Sequence, residues 1–283
     1  MKSAELLKNY QRDGYVLIKG VFNNAEIAGL RQRIEQLPEK RGDALSIDPL
    51  RPILLDKRVL EPVKALLGDK IVYFGDSTVR CESDGGFRYF HRDSQQDFED
   101  PSCTEYPVVR LGIYLQDHAA HSGGLKVRRG SHRHAFLGRE NLKRLLFGKP
   151  YGPLNPAALR LGRAVNLDIE AGDLIIWNLR IWHTGYAVRL KMLPKFCVHP
   201  RLENYIPKAL LLPDIKPRMV IFCVYGAPSA NMETYLKDRA EHHSNKEFWK
   251  FSHFDDPAVV NDCAEKGVEL RIDALQHSRR NPG

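Results

Sequence analysis

The segment AGDLIIWNLRIWHTG, residues Ala171–Gly185, decides the fold. It begins with a Gly-Asp turn, continues as an apolar run of strand length, and reaches His183, which is followed by Thr and Gly. Short apolar runs bounded by turn residues are typical of buried strands. His183 is therefore either a ligand presented near a strand end or a core histidine that donates to a backbone carbonyl.

Other strand-like runs surround this segment. They cover Asp13–Phe22, Lys70–Glu82, Phe87–Asp93, Tyr106–His118 and, last, Pro217–Gly226. Turns at short spacing separate the central runs, and strand–helix alternation is missing from the middle of the chain. The pattern predicts a mostly β fold with flanking helices, either a β-sandwich or a jelly roll.

Helices are expected mainly toward the two ends of the chain. Asn24 is the expected N-cap of a helix that continues to Leu37, because its apolar residues recur at helical spacing. The other helical predictions cover residues 4–12, 56–67, 231–249 and 257–266, with a helix or irregular piece at 138–147 and a loop at 148–156.

Composition restricts the class of protein. The 283 residues are 43% hydrophobic and 28% charged, and no run approaches the roughly 18 apolar residues of a membrane span. The first residues lack the apolar core of a secretory signal. The cysteines, Cys81, Cys103, Cys197, Cys223 and Cys263, are scattered without a CxxC pair. These features predict a cytoplasmic protein with reduced thiols.

The net charge of +8 has two interpretations. It can attract anionic partners such as phosphate esters, carboxylates, nucleic acid or a membrane surface. It can equally serve solubility alone.

His91 and Asp93 stand two residues apart in a strand-like run. Side chains at i and i+2 share one face of a strand, so both can point at one metal ion. The spacing is common by chance, and a solvated polar strand end is the alternative. With His183, 90 residues farther on (183 − 93), the set has two imidazoles and one carboxylate. Such a set occupies one face of octahedral Fe(II) and leaves three positions open for oxygen chemistry.

Four stretches resemble the phytanoyl-CoA dioxygenase-like branch of the 2-oxoglutarate oxygenases. They are YQRDGYVLIKGVFNNAEIAGLRQRI from Tyr10, FHRD from Phe90, LGIYLQDHAAHSGGLKVRRGSHRH from Leu111, and Ala171–Gly185. In this order they cover most of residues 8–185. The resemblance implies a double-stranded β-helix, or jelly roll, with Fe(II) on His91, Asp93 and His183 and with 2-oxoglutarate and O₂ as co-substrates.

The chain departs from that branch in two places. The Gly-Ser-His run, Gly130–His132, follows arginine where the branch usually has proline. The arginine that anchors 2-oxoglutarate is missing a dozen residues after His183. Arg218, at the start of the last strand and displaced by an insertion, is the favoured replacement, because a guanidinium held there can clasp a carboxylate through two bonds. Arg189 is the competitor, with a solvated loop arginine as its alternative role.

Several other residues are weighed beside the triad. Tyr114 and Trp177 are candidates for the cofactor pocket, with core packing as the alternative for both. His118, His121, His132 and His134 are expected to be exposed loop residues, although a second metal site is conceivable. The basic stretch Lys126–Arg144 could bind an anion or form a solvated rim. The long insertion at residues 186–217 is expected to form a packed lid or an interface.

The sequence thus predicts one domain over residues 1–283. Residues 1–68 are its helical support, 69–226 its jelly-roll core with a lid near 186–217, and 227–283 a C-terminal helical extension. We expect a non-haem iron, 2-oxoglutarate-dependent dioxygenase that hydroxylates an unactivated C–H of a small, anionic substrate and releases succinate and CO₂. Asp93 favours hydroxylation, because related halogenases replace this carboxylate with a small residue.

Two alternatives belong to other classes. One is a cupin-like metal-binding protein without 2-oxoglutarate chemistry. The other is a basic nucleic-acid-binding protein, which is disfavoured because stacking aromatics do not alternate with the basic residues.

Overall fold

Two β-sheets form the core of the protein in a computed structural model. The structure describes residues 3–38, 41–82, 90–94, 107–133, 164–198, 200–242 and 251–272. The strands are β1 Tyr15–Ile18, β2 Ile71–Glu82, β3 Val108–Tyr114, β4 Gly124–Arg128, β5 Ala164–Asn166, β6 Leu174–Asn178, β7 His183–Ala187, β8 Arg218–Gly226 and β9 Val268–Leu270. The helices are α1 Ser3–Asp13, α2 Asn24–Glu35, α3 Arg51–Leu54, α4 Lys57–Leu67, α5 Pro200–Glu203, α6 Ala230–His242 and α7 Pro257–Glu265.

The strand order identifies the architecture. The larger sheet has the order β1-β6-β3-β8-β2-β9, and the smaller sheet has the order β5-β4-β7. All pairs are antiparallel except β2 with β9. Two facing antiparallel sheets with helices on the outside form a jelly roll, so the predicted fold is confirmed.

Alternation along the strands decides which residues face the space between the sheets. On the larger sheet, Tyr114 pairs with Val220, and both belong to the cluster that Leu125 and Val127 of the smaller sheet complete. Residues at i and i+2 share a face, so Arg110 on β3 and Phe222 on β8 also point inward. The inner cluster consists of Tyr114, Leu125, Val127, Leu167, Ile169, Ile175, Trp177, Ile181 and Val220.

Helices cover the other face of the larger sheet. Leu111 and Ile221 point away from the inner space and pack in a cluster with residues of α1, α2 and α4. The helical side chains in that cluster include Leu6, Leu30, Val59 and Val63. This layer holds the sheet from behind and leaves its inner face for the site.

Most helix predictions agree with the structure, with one correction at an N-cap. The cap of α2 is Asn23 and not Asn24: its side chain accepts from the Glu26 N–H at 3.0 Å, and the Glu26 carboxylate accepts from the Asn23 N–H at 2.8 Å. This reciprocal capping box satisfies two terminal N–H groups, which outweighs the apolar spacing used to place the start. The predictions at 138–147 and 148–156 lie outside the described residues.

Two further findings concern the described part of the chain. Four cysteines, Cys81, Cys197, Cys223 and Cys263, are free thiols there. None of the helices described is long and apolar enough to cross a membrane.

A buried carboxylate, Asp43, fixes the turn that follows α2. It accepts hydrogen bonds from the Tyr73 hydroxyl at 2.5 Å, from the Ser77 N–H at 2.8 Å and from the Leu45 N–H at 2.9 Å. Ser77 serves this network through its backbone N–H and its hydroxyl, which both donate to Asp43. Burial raises the pKa of Asp43 to about 6, against the lowering effect of these hydrogen bonds.

Replacing Asp43 with Asn is expected to remove a pH dependence of stability. Because burial raises the folded-state pKa above its unfolded value near 3.9, the native protein holds the extra proton between about pH 4 and about pH 6. The contribution of Asp43 to the free energy of unfolding therefore falls across that window, by about 3 kcal/mol. Urea unfolding of the wild type and of Asp43→Asn at several pH values measures this contribution. The same change in the free energy of unfolding with pH in both proteins would contradict the assignment.

Candidate functional site

Backbone pairing brings the predicted triad together. His91 and His183 form an antiparallel bridge in which each N–H donates to the other's carbonyl at 2.9 Å. The Asp93 N–H donates to the Leu179 carbonyl at 2.9 Å. The segment that holds His91 and Asp93 is thus tied to β7 and to the turn before it, although the described part of Phe87–Asp93 forms one bridge and not a strand.

The three side chains converge on one point. The Asp93 carboxylate lies 3.9 Å from Nε2 of His91 and 3.6 Å from Nε2 of His183. One ligand atom from each residue lies within 4.8 Å of the others. This spacing suits three ligands of a single metal ion.

The charge state of Asp93 suits a metal ligand. Its side chain accepts from the Trp177 Nε1–H at 3.1 Å and pairs with Nη1 of Arg110 at 2.8 Å. Burial alone raises the pKa of Asp93, but the charges of Arg110, His183 and His91 and the bond from Trp177 together lower it to about 2. The carboxylate is therefore ionised and oriented at neutral pH.

His183 is held in the form that binds metals. Its ring is buried, and its Nδ1–H donates to the Ile181 carbonyl at 3.1 Å, which leaves Nε2 facing Asp93. Burial lowers the pKa of His183 to about 4, against the raising effect of Asp93. A neutral imidazole with one nitrogen fixed by a backbone carbonyl is the usual arrangement of a histidine ligand.

The donor set fits Fe(II). Two imidazoles and one carboxylate leave three coordination positions open, unlike the closed tetrahedral sets typical of structural zinc. Each Asp93 oxygen also has a partner from the protein, because Oδ1 pairs with Arg110 and Oδ2 accepts from the Trp177 indole.

Arg110 is a residue of the site that the sequence alone did not reveal. It lies opposite Trp177 in the β3–β6 register, and both side chains reach Asp93. Its position on a predicted strand could have revealed it, because alternate residues of that strand face the interior. A charge on an apolar inner face needs a partner, and Asp93 is that partner.

Replacing Trp177 with Phe is expected to weaken iron binding by about 10- to 100-fold. The change keeps an aromatic ring but removes the N–H that orients Asp93. Iron dissociation constants from competition with a chelator measure the effect. Trp182→Phe is the matched control, because among the described residues the Trp182 indole N–H makes no hydrogen bond. Equal iron affinities in both variants would contradict the role of Trp177.

The predicted anchor of the co-substrate is Arg218. It is the first residue of β8, on the same face as Val220 and Phe222, and its guanidinium is buried, with Nε donating to the Gly123 carbonyl at 2.9 Å. Tyr114 is fully buried on β3, where it pairs with Val220, two residues after Arg218 on β8. Both side chains thus face the inner space at the end of the barrel away from Arg110.

The alternative role for Arg189, a solvated loop residue, is wrong. Only 1% of this arginine is exposed, and its guanidinium pairs with the Asp168 carboxylate at 2.7 Å and donates to the Leu167 carbonyl at 2.5 Å. These bonds fasten the end of β7 to the segment after β5. The guanidinium thus binds groups of the protein itself.

Two of the histidines predicted to be exposed are buried. His118 is completely buried with its ring edge-on to Tyr114 at 5.4 Å, and burial followed by the charges of Arg218 and Arg189 lowers its pKa to about 3. His132 packs near Tyr10 of α1. The polar neighbourhood in sequence hid these contacts, which come from distant segments. His134 lies outside the described residues.

The described part of the basic stretch is not a uniform cationic rim. Lys126 is buried in an ion pair with Glu203, and Arg129 pairs with Asp13 at 2.9 Å. Arg128 lies over the ring of Phe90, 4.5 Å from its centroid. Residues 134–144 of this stretch lie outside the described residues.

The insertion contacts the outer face of the smaller sheet. Lys126 and Asn166 form a register pair on the face opposite Leu125 and Val127. Lys126 binds Glu203 and the Val198 carbonyl, and the Asn166 amide donates to carbonyls of the insertion. These contacts place this part of the insertion against the outer face of the smaller sheet, and its role as a lid stays a prediction.

This chain is similar to known proteins of one enzyme family. A family model described as phytanoyl-CoA dioxygenase matches residues 48–189, which contain all three triad residues. The ectoine dioxygenase of Bordetella bronchiseptica is 25% identical over 239 residues, covering 71% of this chain and 76% of the relative. The ectoine dioxygenase of Stutzerimonas stutzeri is 25% identical over 154 residues, covering 47% of this chain and 51% of the relative.

Solved structures support the fold. EctD from S. alaskensis, crystallised with 2-oxoglutarate and 5-hydroxyectoine, aligns with a TM-score of 0.52 at 18% identity, covering 80% of this chain and 76% of that one. The 2-oxoglutarate-dependent epimerase SnoN from nogalamycin biosynthesis aligns with a TM-score of 0.50 at 18% identity, covering 80% of each chain. The family model spans half of the 283 residues (189 − 48 + 1 = 142). The chain therefore belongs to the phytanoyl-CoA dioxygenase family, and the predicted class of enzyme, a non-haem iron, 2-oxoglutarate-dependent dioxygenase, is confirmed.

Proposed function

We propose that this enzyme hydroxylates an unactivated C–H of an anionic small molecule, with Fe(II) on His91, Asp93 and His183 and with 2-oxoglutarate anchored by Arg218. The observation that carries the proposal is the convergence of the three ligand atoms within 4.8 Å. Family membership supplies the reaction class. Scattered free thiols fit a reducing cytoplasm as the place where it works.

The protein's own groups prepare the site for this chemistry. Arg110 and the Trp177 indole hold Asp93 ionised and oriented, and the Ile181 carbonyl holds His183 in one tautomer. When bound, Fe(II), 2-oxoglutarate and O₂ supply an oxidant that removes hydrogen from an unactivated C–H, with succinate and CO₂ as by-products. The buried apolar wall around the site excludes water, which limits side reactions of that oxidant.

Arg218 has the features of a carboxylate anchor. It is held at a strand start by its bond to Gly123, and a guanidinium can bind a carboxylate through two parallel hydrogen bonds. 2-Oxoglutarate, if bound at the triad, would be anchored through its second carboxylate by Arg218 in the inner space between the sheets. Tyr114 offers a hydroxyl to the same region.

Cationic side chains beside the triad favour an anionic substrate. Arg92 separates two of the ligands in sequence, and its guanidinium lies over the ring of Trp182, 5.6 Å from the centroid. Arg128 lies over Phe90, the residue that precedes His91. Guanidinium groups bind carboxylate and phosphate groups and also stack on aromatic rings.

A succinate-release screen tests the proposal. Fe(II)-loaded enzyme is supplied with 2-oxoglutarate, O₂ and pairs of compounds that differ only in charge, each a carboxylic acid and its methyl ester, with ectoine as a first compound because relatives bear its name. We expect one acid to raise succinate formation by about tenfold or more over its ester. Equal stimulation by acid and ester would contradict the anionic substrate, and product without added oxygen would contradict hydroxylation.

A further inference from the structure

The outward side of the insertion carries a concentration of apolar side chains. Six of the eight strongly exposed large apolar residues in the described part of the chain lie within residues 191–210, here called the insertion loop. Met192 and Tyr205 are 87% and 83% exposed, so these side chains protrude almost completely. The six are Met192, Leu193, Phe196, Leu202, Tyr205 and Leu210.

The insertion loop is mounted rigidly on the domain. Its inner side is fixed by the buried Lys126–Glu203 ion pair and by the Asn166 amide, which donates to the Phe196 carbonyl at 3.2 Å. Its two ends are joined by a bridge between Leu190 and Leu211. The exposed apolar side chains are therefore presented by an anchored loop.

Hydrogen bonds within the loop bring the apolar positions together. The Lys191 N–H donates to the Leu210 carbonyl at 2.9 Å, so Met192 and Leu193 follow directly beside Leu210. The Phe196 N–H donates to the Leu193 carbonyl at 2.9 Å, so Phe196 belongs to the same turn as Leu193. Four of the six side chains thus start from adjacent turns.

Positive charge accompanies the apolar side chains. Lys191, Lys195 and Lys208 are exposed on the insertion loop. Its one acidic residue, Glu203, is buried in the pair with Lys126 and contributes no negative charge to the surface. The outer side of the loop is therefore apolar and cationic.

We propose that the insertion loop docks this enzyme on membranes that contain anionic lipids. Protruding apolar and aromatic side chains enter the headgroup region, and the lysines meet the lipid phosphates, which is how peripheral proteins combine the two contributions. Pairing with a second copy is disfavoured, because a two-fold interface brings two surfaces of the same positive charge together. The inference is independent of the metal site, which lies on the inner face of the same sheet.

Vesicle co-sedimentation of the full-length, iron-loaded enzyme tests this inference. Phosphatidylcholine vesicles are compared with vesicles in which about a quarter of the lipid is phosphatidylglycerol. We expect binding to the anionic vesicles to be stronger by about tenfold or more and to fall as salt rises. Equal binding to both vesicles, or none to either, overturns the proposal.

Paired variants separate the loop from the rest of the surface. Met192→Ser with Phe196→Ser, and separately Lys191→Glu with Lys195→Glu, are each expected to weaken binding to anionic vesicles by about tenfold. Val260→Ser and Lys57→Glu, at exposed positions in α7 and α4, are matched controls that keep full binding. Equal losses in the controls overturn the assignment to the insertion loop.

Size-exclusion chromatography with light scattering tests whether a second copy of the chain binds the insertion loop instead. A dimer that Met192→Ser with Phe196→Ser converts to a monomer, without vesicle binding by the wild type, identifies the loop as a self-association surface and overturns the proposal. Succinate formation is measured on every variant. It is expected to stay unchanged, so a failure of the iron or 2-oxoglutarate assignment is distinguished from a failure of membrane docking.

Discussion

The His183→Ala variant is expected to lose iron and, with it, 2-oxoglutarate turnover. Removing the imidazole leaves Asp93 and one partly exposed histidine, a set that cannot hold Fe(II) against solvent. Loss of a residue that only supports a ligand weakens metal binding by about 10- to 100-fold, so loss of a ligand is expected to exceed about 100-fold. Iron content after desalting and succinate formation with 2-oxoglutarate and O₂ measure both effects.

A buried histidine away from the triad provides the control for this variant. His132 is also buried, and one of its ring nitrogens lies 3.2 Å from the Gln11 carbonyl. His132→Ala removes the same volume and a similar backbone contact, so it is expected to lower stability while keeping iron. If His183→Ala retained iron and turnover at the level of His132→Ala, the triad assignment would be wrong.

The Arg218→Ala variant is expected to raise the requirement for 2-oxoglutarate by about 10- to 100-fold. The expected size follows from the loss of charge-assisted hydrogen bonds, worth about 1.5–3 kcal/mol, to the far carboxylate. Iron content is expected to stay normal, because Arg218 is not among the three residues proposed to hold the metal. The apparent KM for 2-oxoglutarate, together with its Kd under anaerobic conditions, measures the change.

Arg189→Ala is the matched control for this second variant. Both arginines are buried, but Arg189 is committed to Asp168 and to the Leu167 carbonyl. We expect Arg189→Ala to lower the melting temperature and to leave the 2-oxoglutarate requirement unchanged. A higher requirement in Arg189→Ala with a normal one in Arg218→Ala would reverse the assignment of the anchor.

The features that were predictable from the sequence are those that depend on local pattern or on a family motif. The strand-like runs predicted a β-sandwich or a jelly roll, and the resemblance to the phytanoyl-CoA dioxygenase-like branch implied the jelly roll and the triad of His91, Asp93 and His183. The helix over Lys57–Leu67 was predictable because Asp56 and Gly68 mark its ends. The position of Arg218 followed from the predicted start of the strand-like run Pro217–Gly226, which contains β8.

The features that were missed depend on contacts between distant segments. Arg110 contacts Asp93 through the register of two strands, and the partners of Lys126 lie in an insertion more than 70 residues away. Arg189 looked solvated because its acidic partner, Asp168, precedes it by 21 residues on another segment. A single sequence shows charge and polarity, but burial is decided by which segments pack together.

Anaerobic titration of the Fe(II)-loaded enzyme with 2-oxoglutarate, followed by visible absorption, tests the assignment of iron and co-substrate most directly. A 2-oxo acid that chelates Fe(II) through its keto and carboxylate oxygens produces a charge-transfer band that neither component has alone. We expect a band that saturates at one equivalent in the wild type, needs more 2-oxoglutarate in Arg218→Ala and is missing in His183→Ala. A wild-type enzyme that binds iron and 2-oxoglutarate without this band, or a full band in His183→Ala, would contradict the assignment.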